Sequence, residues 1–234
     1  MKGWINCVIS RIKEETHDTK TITLSLEKDF LFLPGQFVML GFDHGPHKDD
    51  MKAARAYSIS SSPSNPREIE ITFRLYKEGL FTPLLFNSKV SDKMKIKGPY
   101  GSFNYREDDG NNLVFLSAGS GIAPIKSMIE YFLDSKENAK IQLIYVDKTK
   151  DDLIYRNIFE KLDESGKAVV IFSLTREKWN GDMGRIDMEK IDKLDISEET
   201  MFYICGPPTM VNETVNLLRK KGVTASKIKT EKYD

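Results

Sequence analysis

The spacing of apolar residues changes part-way along this chain, and no other feature of the sequence limits the possible folds as strongly. From Trp4 to about Phe103 the apolar residues form short, often alternating runs separated by Gly, Pro, Asn and Asp, which is typical of β-strands. After the polar segment 104–112, short apolar runs alternate with stretches of helical spacing. With 234 residues the chain exceeds the usual size of a single domain. The sequence therefore predicts two domains, 1–106 and 107–234.

The first domain is predicted to be an N-terminal antiparallel Greek-key β-barrel. Apolar and polar residues alternate in Thr21–Leu26 and in Ile69–Leu75, as expected for strands with one buried face. Such patterns recur at short intervals, and closure into a barrel would remove exposed sheet edges. Leu80–Phe86 is the helix candidate in this part of the chain.

The second domain is predicted to be an α/β domain with a parallel sheet. Its short apolar runs are of the kind that such a sheet buries on both faces. They are Leu113–Leu116, Ile141–Val146, Val169–Phe172 and Met201–Ile204. Helical spacing between the first two runs predicts a helix with Pro124 in its first turn. Another helix is predicted after Pro208, and basic residues before Gly222 mark its end.

Charge and cysteine content argue against several classes of function. The 35 basic and 35 acidic side chains balance, so no attraction to nucleic acid is expected. The sequence has no apolar run of about 20 residues, so no membrane span is expected. The N-terminus lacks the apolar region of a signal peptide, which favours a cytoplasmic protein. Cys7 and Cys205 form no CxxC pattern, so any iron–sulfur cluster would have to belong to a partner.

Two glycine-containing turns follow predicted strands of the second domain. Ser117 ends one strand and precedes Gly119-Ser120-Gly121 and a helix. This order suits a dinucleotide pyrophosphate, because glycine lets the backbone approach and free N–H groups face the anion. Pro124 stands where G-x-G-x-x-G has its third glycine, which disfavours a plain Rossmann dehydrogenase. Cys205-Gly206-Pro207-Pro208 also lies between a strand and a helix, so both turns are expected at the same carboxyl edge of the sheet.

Arg55-Ala56-Tyr57-Ser58 and Gly79-Leu80-Phe81-Thr82 resemble the flavin signatures R-x-Y-[ST] and G-x-x-[ST] of the ferredoxin-NADP reductase-like flavoprotein oxidoreductases. The resemblance extends to Pro34-Gly35-Gln36-Phe37, to Gly98–Phe103 and to the Cys-Gly-Pro-Pro turn, so it covers nearly the whole chain. It implies that the first domain binds FAD and the second binds NAD(P)H. It also implies that a hydride passes from the nicotinamide C4 to the flavin N5.

The resemblance assigns cofactor roles within the first domain. Arg55 and Thr82 would bind the FAD pyrophosphate, which suits a guanidinium fork and a hydroxyl at a helix N-terminus. Tyr57 would pack on the isoalloxazine, and Ser58 would hydrogen-bond near N5. Backbone groups of residues 73–76 would follow the ribityl chain and the ring. The predicted flavin residues are Arg55, Ala56, Tyr57, Ser58, Phe73, Arg74, Leu75, Tyr76, Gly79, Leu80, Phe81 and Thr82.

In the second domain the resemblance places Cys205 beside the nicotinamide C4 and Ser120 close to the flavin. Cys205 forms the predicted catalytic set with Tyr57 and Ser58, and no covalent intermediate on it is implied. An aromatic residue near the C-terminus often covers the flavin in this family, so Tyr233 would fill this role, and a frayed terminus is the alternative. The predicted nucleotide residues are Gly119, Ser120, Gly121, Ile122, Pro124, Asp147, Arg176, Cys205, Gly206, Pro207 and Tyr233.

The sequence carries groups suited to either coenzyme. A 2′-phosphate calls for cations, which Arg176 and Lys178 supply, whereas a free 2′-hydroxyl calls for a carboxylate such as Asp147. Where the family usually has arginine before threonine, this chain has Lys148-Thr149. The sequence therefore favours NADH or the use of both coenzymes.

A polar loop contains four residues of types that bind metals. His44, His47, Asp49 and Asp50 lie close together in the sequence, but no second pair of ligands is near. A solvated loop is the simpler interpretation, so no metal site is predicted.

The electron acceptor is left open by the resemblance, because family members reduce ferredoxins, fused iron–sulfur domains, oxygenase components, cytochromes or free flavin. The favoured hypothesis is a monomeric or weakly oligomeric FAD enzyme that reduces a separate electron-carrier protein. The alternatives are a flavin reductase that uses diffusible flavin and a non-catalytic nucleotide-binding regulatory subunit. An electron-transfer subunit of a dihydroorotate dehydrogenase is disfavoured, since the sequence has no C-terminal cysteine cluster.

Overall fold

The computed structural model describes residues 3–43, 54–135 and 140–233. The chain forms two compact units. The first unit comprises Met1–Tyr105 and Lys126–Tyr131, and the second comprises Arg106–Ile125 and Phe132–Asp234. Among the helices in the described ranges, none combines the length and the apolar character that crossing a membrane requires.

Six antiparallel strands form the sheet of the first unit within the described residues. They are β1 (Ile5–Thr16), β2 (Thr19–Leu26), β3 (Phe37–Phe42), β4 (Arg55–Ser58), β5 (Glu68–Arg74) and β6 (Lys93–Tyr100). Their order is β4-β3-β6-β1-β2-β5, so β4 and β5 are the two outer strands. A bridge between Ile59 and Ile71 and a bond from the Ser60 N–H to the Glu70 carbonyl oxygen (2.8 Å) join these ends. The sheet is thereby closed, which confirms the predicted barrel.

Inward-facing aliphatic side chains fill the barrel, and the strands contribute alternate residues to this core. The most deeply buried are Ile9, Ile22, Leu24, Val38, Leu40, Ile69, Ile71, Met94 and Ile96. Helix α1 (Phe81–Phe86) starts one residue after the predicted position and buries Phe81 and Leu85. Its other face leaves Leu80 and Leu84 exposed.

The second unit is a parallel sheet with helices between its strands, as predicted. The strands are β7 (Asn112–Ala118), β8 (Lys140–Asp147), β9 (Val169–Leu174), β10 (Asp182–Met183), β11 (Met201–Gly206) and β12 (Ile228–Lys232). The helices are α2 (Ile122–Ser135), whose residues 126–131 belong to the first unit, α3 (Arg156–Glu164), α4 (Met188–Asp192) and α5 (Pro208–Lys220). The strand order is β10-β9-β8-β7-β11-β12. Because all pairs are parallel, the strands end at a common carboxyl edge.

Strand β12 was absent from the sequence prediction. It pairs with β11 from Phe202 opposite Ile228 to Gly206 opposite Lys232. Its sequence, Ile-Lys-Thr-Glu-Lys, has a single apolar residue. An edge strand with a partly solvated surface needs few buried side chains, so this strand leaves no apolar pattern in the sequence. Its direction brings the end of the described chain to the carboxyl edge of the sheet.

Candidate active site

Strand β4 carries the predicted flavin residues of the first unit. It pairs with β3, with Phe37 opposite Ser58. Arg55 and Ala56 are exposed, whereas Ser58 keeps only 7% of its surface accessible. The Arg55 guanidinium donates to the Ala54 carbonyl oxygen (3.0 Å). The strand thus offers a cation at the surface and a hydroxyl at its buried end.

The half-buried ring of Tyr57 lies against two core aromatic residues. Its centroid is 6.1 Å from that of Phe73 and also 6.1 Å from that of Phe81. Burial raises the pKa of the Tyr57 phenol above its ordinary value, and the nearby Arg55 opposes this shift. Phe73 and Phe81 are 2% and 6% exposed, so they can offer a cofactor little more than backbone groups.

The turn 76–82 contains the predicted pyrophosphate residues. The Thr82 hydroxyl donates to the Tyr76 carbonyl oxygen (2.9 Å) and accepts from the Tyr76 N–H (3.1 Å). A Cβ at Gly79 would lie 2.9 Å from the Tyr76 ring, so the turn favours glycine. Tyr76 and Leu80 are 63% and 85% exposed, which leaves apolar surface of the kind that ligand clefts use. Thr82 closes the turn, and its contact with a pyrophosphate stays a prediction.

Arg74 and Leu75 are anchored to the neighbouring strand connection. The Arg74 guanidinium donates to the Thr19 hydroxyl (3.3 Å) and pairs with the Asp18 carboxylate (3.3 Å). The Leu75 N–H donates to the Asp18 carbonyl oxygen (2.7 Å). These bonds fix the end of β5, beside which the turn 76–82 begins.

The groups of the first unit fit the chemistry of FAD. The exposed Arg55 guanidinium suits a pyrophosphate, and Tyr57 offers part of an aromatic face. Ser58 supplies a hydroxyl at the end of β4. The exposed apolar surface of Tyr76 suits an aromatic ring system.

The turn Gly119–Gly121 links β7 to α2 in the second unit. Gly119 has a φ of 56°, in the left-handed region that favours glycine. A Cβ at Gly121 would lie 2.3 Å from the Cys205 carbonyl oxygen and 2.9 Å from the Gly206 nitrogen. The two predicted turns therefore pack directly on each other, and only glycine at position 121 permits this approach.

The surroundings of this turn fit a dinucleotide. Ile122 and Pro124 are buried, so their side chains belong to the packing of α2 and the turn presents mainly backbone. Ser120 is half-buried. The Ser117 hydroxyl oxygen is buried and has no hydrogen-bond partner within the described residues, although such groups are usually satisfied in native proteins. A glycine cradle beside a buried hydroxyl matches the needs of a nucleotide site.

Cys205 is fully buried at the end of β11. Ser117 lies opposite it on β7, and Glu231 lies opposite it on β12. Burial raises the pKa of the Cys205 thiol, the Glu231 carboxylate adds to this shift, and a hydrogen bond with Tyr233 opposes it. A protonated, buried thiol packs as a small apolar group and is a poor nucleophile, which agrees with the predicted positioning role.

Tyr233 lies beside Cys205 in the second unit and is held in place. Its N–H donates to the Gly206 carbonyl oxygen (3.1 Å), and its hydroxyl donates to a Glu231 carboxylate oxygen (3.5 Å). Burial raises the pKa of Glu231 to about 7, although the bond from Tyr233 opposes the shift. The predicted cover of the flavin by Tyr233 stays a prediction. Glu231 was not predicted from the sequence, because its place opposite Cys205 follows only from the pairing of β12 with β11.

Asp147, the predicted ribose ligand, lies at the end of β8 and is 6% exposed. The Tyr145 hydroxyl donates to its carboxylate and lies within bonding distance of the Gly119 carbonyl oxygen, at 3.2 Å in both cases. The Lys148 N–H also donates to this carboxylate (2.9 Å). Tyr145 thus connects the glycine turn to Asp147. Tyr145 was not predicted as a site residue, because an aromatic residue in a buried strand carries no separate signal.

A cavity of about 470 Å³ lies beside the end of β9 and contains the predicted phosphate ligands Arg176 and Lys178. Its size is within the range of small-molecule sites. The Arg176 N–H donates to the Lys148 carbonyl oxygen (2.8 Å), which fixes the backbone while the side chain stays exposed. Glu177 lines the same cavity, and its carboxylate accepts from the Lys150 N–H (2.7 Å). Cations and a carboxylate therefore meet at one end of the predicted coenzyme site.

The remaining predicted nucleotide residues, Gly206 and Pro207, form the second turn. Gly206 has a φ of 155°, and a Cβ there would lie 2.6 Å from the Met210 Cε. Pro207 is exposed just before α5. His44, His47, Asp49 and Asp50, which were considered as metal ligands, lie outside the described residues.

Comparison with protein families matches both units. The oxidoreductase FAD-binding domain matches residues 6–105. The oxidoreductase NAD-binding domain matches residues 115–216. The chain belongs to the ferredoxin-NADP reductase-like flavoprotein oxidoreductases. This family member therefore combines an FAD-binding and an NAD-binding domain, as predicted from the flavin signatures and the glycine turns.

Several curated relatives are reductase components. The glycine betaine monooxygenase reductase subunit of Pseudomonas aeruginosa is 28% identical over 242 residues, which are 98% of this chain and 63% of the relative. The reductase component of propane 2-monooxygenase from Rhodococcus jostii is 26% identical over 239 residues, covering 96% and 62% of the two chains. The chain thus spans somewhat less than two thirds of the length of these relatives.

Solved structures share the two-domain fold. The ferredoxin reductase in carbazole 1,9a-dioxygenase is 26% identical with a TM-score of 0.85, and the match covers 99% of this chain and 70% of that one. A ferredoxin NADP⁺ reductase from Neisseria gonorrhoeae with bound FAD and NADP has a TM-score of 0.82 at 24% identity, with 99% of both chains covered. The latter likeness concerns the fold alone.

Proposed function

We propose that this chain is an FAD-dependent NAD(P)H oxidoreductase that passes electrons to a separate electron-carrier protein. The observation that supports this most is the packing of the Gly119–Gly121 turn on Cys205, next to Glu231 and Tyr233, at the carboxyl edge of the sheet. Bound FAD would accept a hydride from the nicotinamide and release electrons singly, which is the chemistry that flavins contribute. The protein supplies binding and orientation.

On the flavin side, β4 would bind and orient. Arg55 neutralises phosphate charge through charge-assisted hydrogen bonds. Tyr57, braced against Phe73 and Phe81, keeps water from one face of the ring system. Ser58, near-buried at the end of the strand, would donate a hydrogen bond to the reactive part of the ring.

On the nucleotide side, the backbone would do most of the binding. N–H groups at the start of α2 would bind the pyrophosphate, while the neutral Cys205 thiol would limit where the nicotinamide can lie. Placement of two reactants at near-contact distance accounts for a large share of catalysis in hydride transfer.

We propose NADH, or NADH and NADPH together, as the electron donor. Arg176 and Lys178 offer cations for a 2′-phosphate, but Glu177 lies in the same cavity and would repel it. Asp147 already accepts bonds from Tyr145 and Lys148, which stabilises the carboxylate beside the predicted ribose site.

The proposed acceptor is an oxygenase component or a ferredoxin-type carrier. The relatives support this, since they are named as the reductase subunit of a glycine betaine monooxygenase and the reductase component of propane 2-monooxygenase. A monomeric or weakly oligomeric state and a cytoplasmic location stay predictions from the sequence.

The test is a comparison of acceptors with the purified chain after loading with FAD and removal of free flavin. We expect FAD to stay bound and NADH to drive reduction of cytochrome c, used as a one-electron protein acceptor. Reduction of added free flavin but not of cytochrome c, with no FAD retained, would favour a flavin reductase. Retained nucleotide with no turnover of any acceptor would favour a regulatory subunit.

A further inference from the structure

Lys126, on the part of α2 that belongs to the first unit, is a buried lysine. Its side chain is 5% exposed, and its ammonium group donates to the Ser60 carbonyl oxygen (3.1 Å). It also pairs with one carboxylate oxygen of Glu70 (3.1 Å) and one of Glu130 (2.8 Å). Buried ammonium groups are rare unless they are paired, so this position has a specific set of partners.

The neighbours of Lys126 on α2 bind the same loop. The Ser127 hydroxyl donates to the Ser61 carbonyl oxygen (2.6 Å). The Ser62 N–H donates to the Glu130 carboxylate. The helix therefore contacts the backbone of three consecutive residues, 60–62, through three different side chains.

This loop directly continues the strand that carries the predicted flavin residues. Ser60 follows Ser58 after a single residue, Ile59, which is fully buried. From the other side, the Ser61 hydroxyl accepts from the Glu70 N–H (3.0 Å). The loop is held between α2 and β5, so the end of β4 has little freedom to move.

The positive charge of Lys126 lies between two acidic side chains. Glu70 and Glu130 are half-buried, with 20% and 33% of their side chains exposed. Glu70 also pairs with Arg11, whose side chain is 64% exposed. Removal of Lys126 would leave the carboxylate of Glu130 and the Ser60 carbonyl oxygen facing each other without a shared donor, which is costly at a buried site.

We propose that Lys126 is a positioning residue of the flavin site. It fixes loop 60–62, and through this loop it holds Tyr57 and Ser58 at the end of β4. This inference rests on the proposed function, because it assumes that β4 binds FAD. It adds Lys126, which is not among the site residues predicted from the sequence.

The experiment compares K126M with wild type and with two further variants of the full chain. K190M is the matched control, since the Lys190 side chain is 4% exposed and pairs with Asp187 at 2.8 Å, but it lies in the second unit. S127A removes one hydroxyl from the same loop contact and is a milder change. We measure FAD affinity, the visible circular dichroism of bound flavin, and the rate of flavin reduction at saturating NADH.

K126M should weaken FAD binding and slow flavin reduction, each by about tenfold to a hundredfold, because small displacements of positioning groups have effects of this order. It should also alter the flavin dichroism, which a remote loss of stability would not do. S127A should change all three readouts in the same direction but less, and K190M should match wild type.

A folded K126M with wild-type affinity, dichroism and rate would overturn the inference, as would an equal loss in K190M. If K126M does not fold, S127A decides, and wild-type values for it would overturn the inference. A wild-type chain that binds no FAD would instead overturn the proposed function.

Discussion

The flavin side and the nucleotide side of this protein are built by different means. In the first unit the predicted site consists of side-chain groups on β4, the guanidinium of Arg55, the ring of Tyr57 and the hydroxyl of Ser58. In the second unit it consists mainly of backbone, where Gly121 packs on the carbonyl group of Cys205. The flavin side should therefore be sensitive to the loss of functional groups, and the nucleotide side to the addition of atoms.

The largest effect is expected from G121A, which tests the backbone-built side. The added Cβ would lie 2.3 Å from the Cys205 carbonyl oxygen, so the two turns must separate. NADH binding should weaken by about a hundredfold, while FAD binding stays unchanged. Titration with NADH and with FAD measures both. G41A is the control, because its Cβ would meet neighbours at 3.6 Å, an ordinary contact. A G121A variant that loses FAD binding but keeps normal NADH binding would contradict the comparison.

R55A tests the flavin side, which consists of side-chain functional groups on β4. Hydrogen bonds to a charged group contribute about 1.5–3 kcal/mol, so FAD affinity should fall by about tenfold to a hundredfold in R55A. R55K should not restore this affinity, because lysine cannot form the bidentate hydrogen bonds of arginine. Fluorescence titration with FAD measures the loss. R67A, which removes an exposed arginine paired with Asp29, should bind FAD like wild type. Normal FAD affinity in R55A would rule out the assigned role.

C205A sharpens the comparison, since Cys205 is a predicted site residue whose carbonyl group packs against Gly121. The rate of flavin reduction should fall by about tenfold because the nicotinamide is less well confined, with little change in NADH affinity. Rapid mixing under anaerobic conditions separates these quantities. C7A is a matched control, because Cys7 is also buried but lies in the barrel. A loss of affinity with an unchanged rate would show that Cys205 binds rather than orients.

The smallest effect concerns the pH dependence of stability. Glu231 has a pKa raised to about 7, compared with about 4.3 in an unfolded chain. Between these values the native chain holds more protons than the unfolded chain, so stability falls as pH rises and levels off above the upper value. E231Q should remove this pH dependence. In wild type the free energy of unfolding should change by at most about 2 kcal/mol over this range, since the Glu231 side chain is partly exposed.

Thermal unfolding of wild type and E231Q over this pH range provides the measurement. E198Q, which alters an exposed glutamate, should keep the wild-type profile. Parallel profiles for wild type and E231Q would show that Glu231 does not titrate in this range.

The sequence was informative where burial leaves a regular pattern. Strands β7, β8 and β11 were predicted because a parallel sheet buries both of their faces, and α2 and α5 because apolar residues recur at helical spacing. The short strand β4 has no such pattern, and its residues were identified through the family signature.

The contacts that complete the site could not be read from the sequence. Lys126 meets Glu70 across 56 positions of the chain, and Tyr145 meets Gly119 across 26. Such pairs depend on which strands become neighbours. Glu231 was missed for a related reason, because the polar sequence of β12 resembles that of a chain end and its place next to Cys205 follows only from strand pairing.

The most direct test of the central claim is anaerobic mixing of the FAD-loaded chain with NADH and, separately, with NADPH, while the visible absorption band of the flavin is followed. The proposed function predicts that NADH bleaches this band within the turnover time and does so at least as fast as NADPH. A flavin band that neither coenzyme bleaches would contradict the assignment of this chain as an NAD(P)H oxidoreductase.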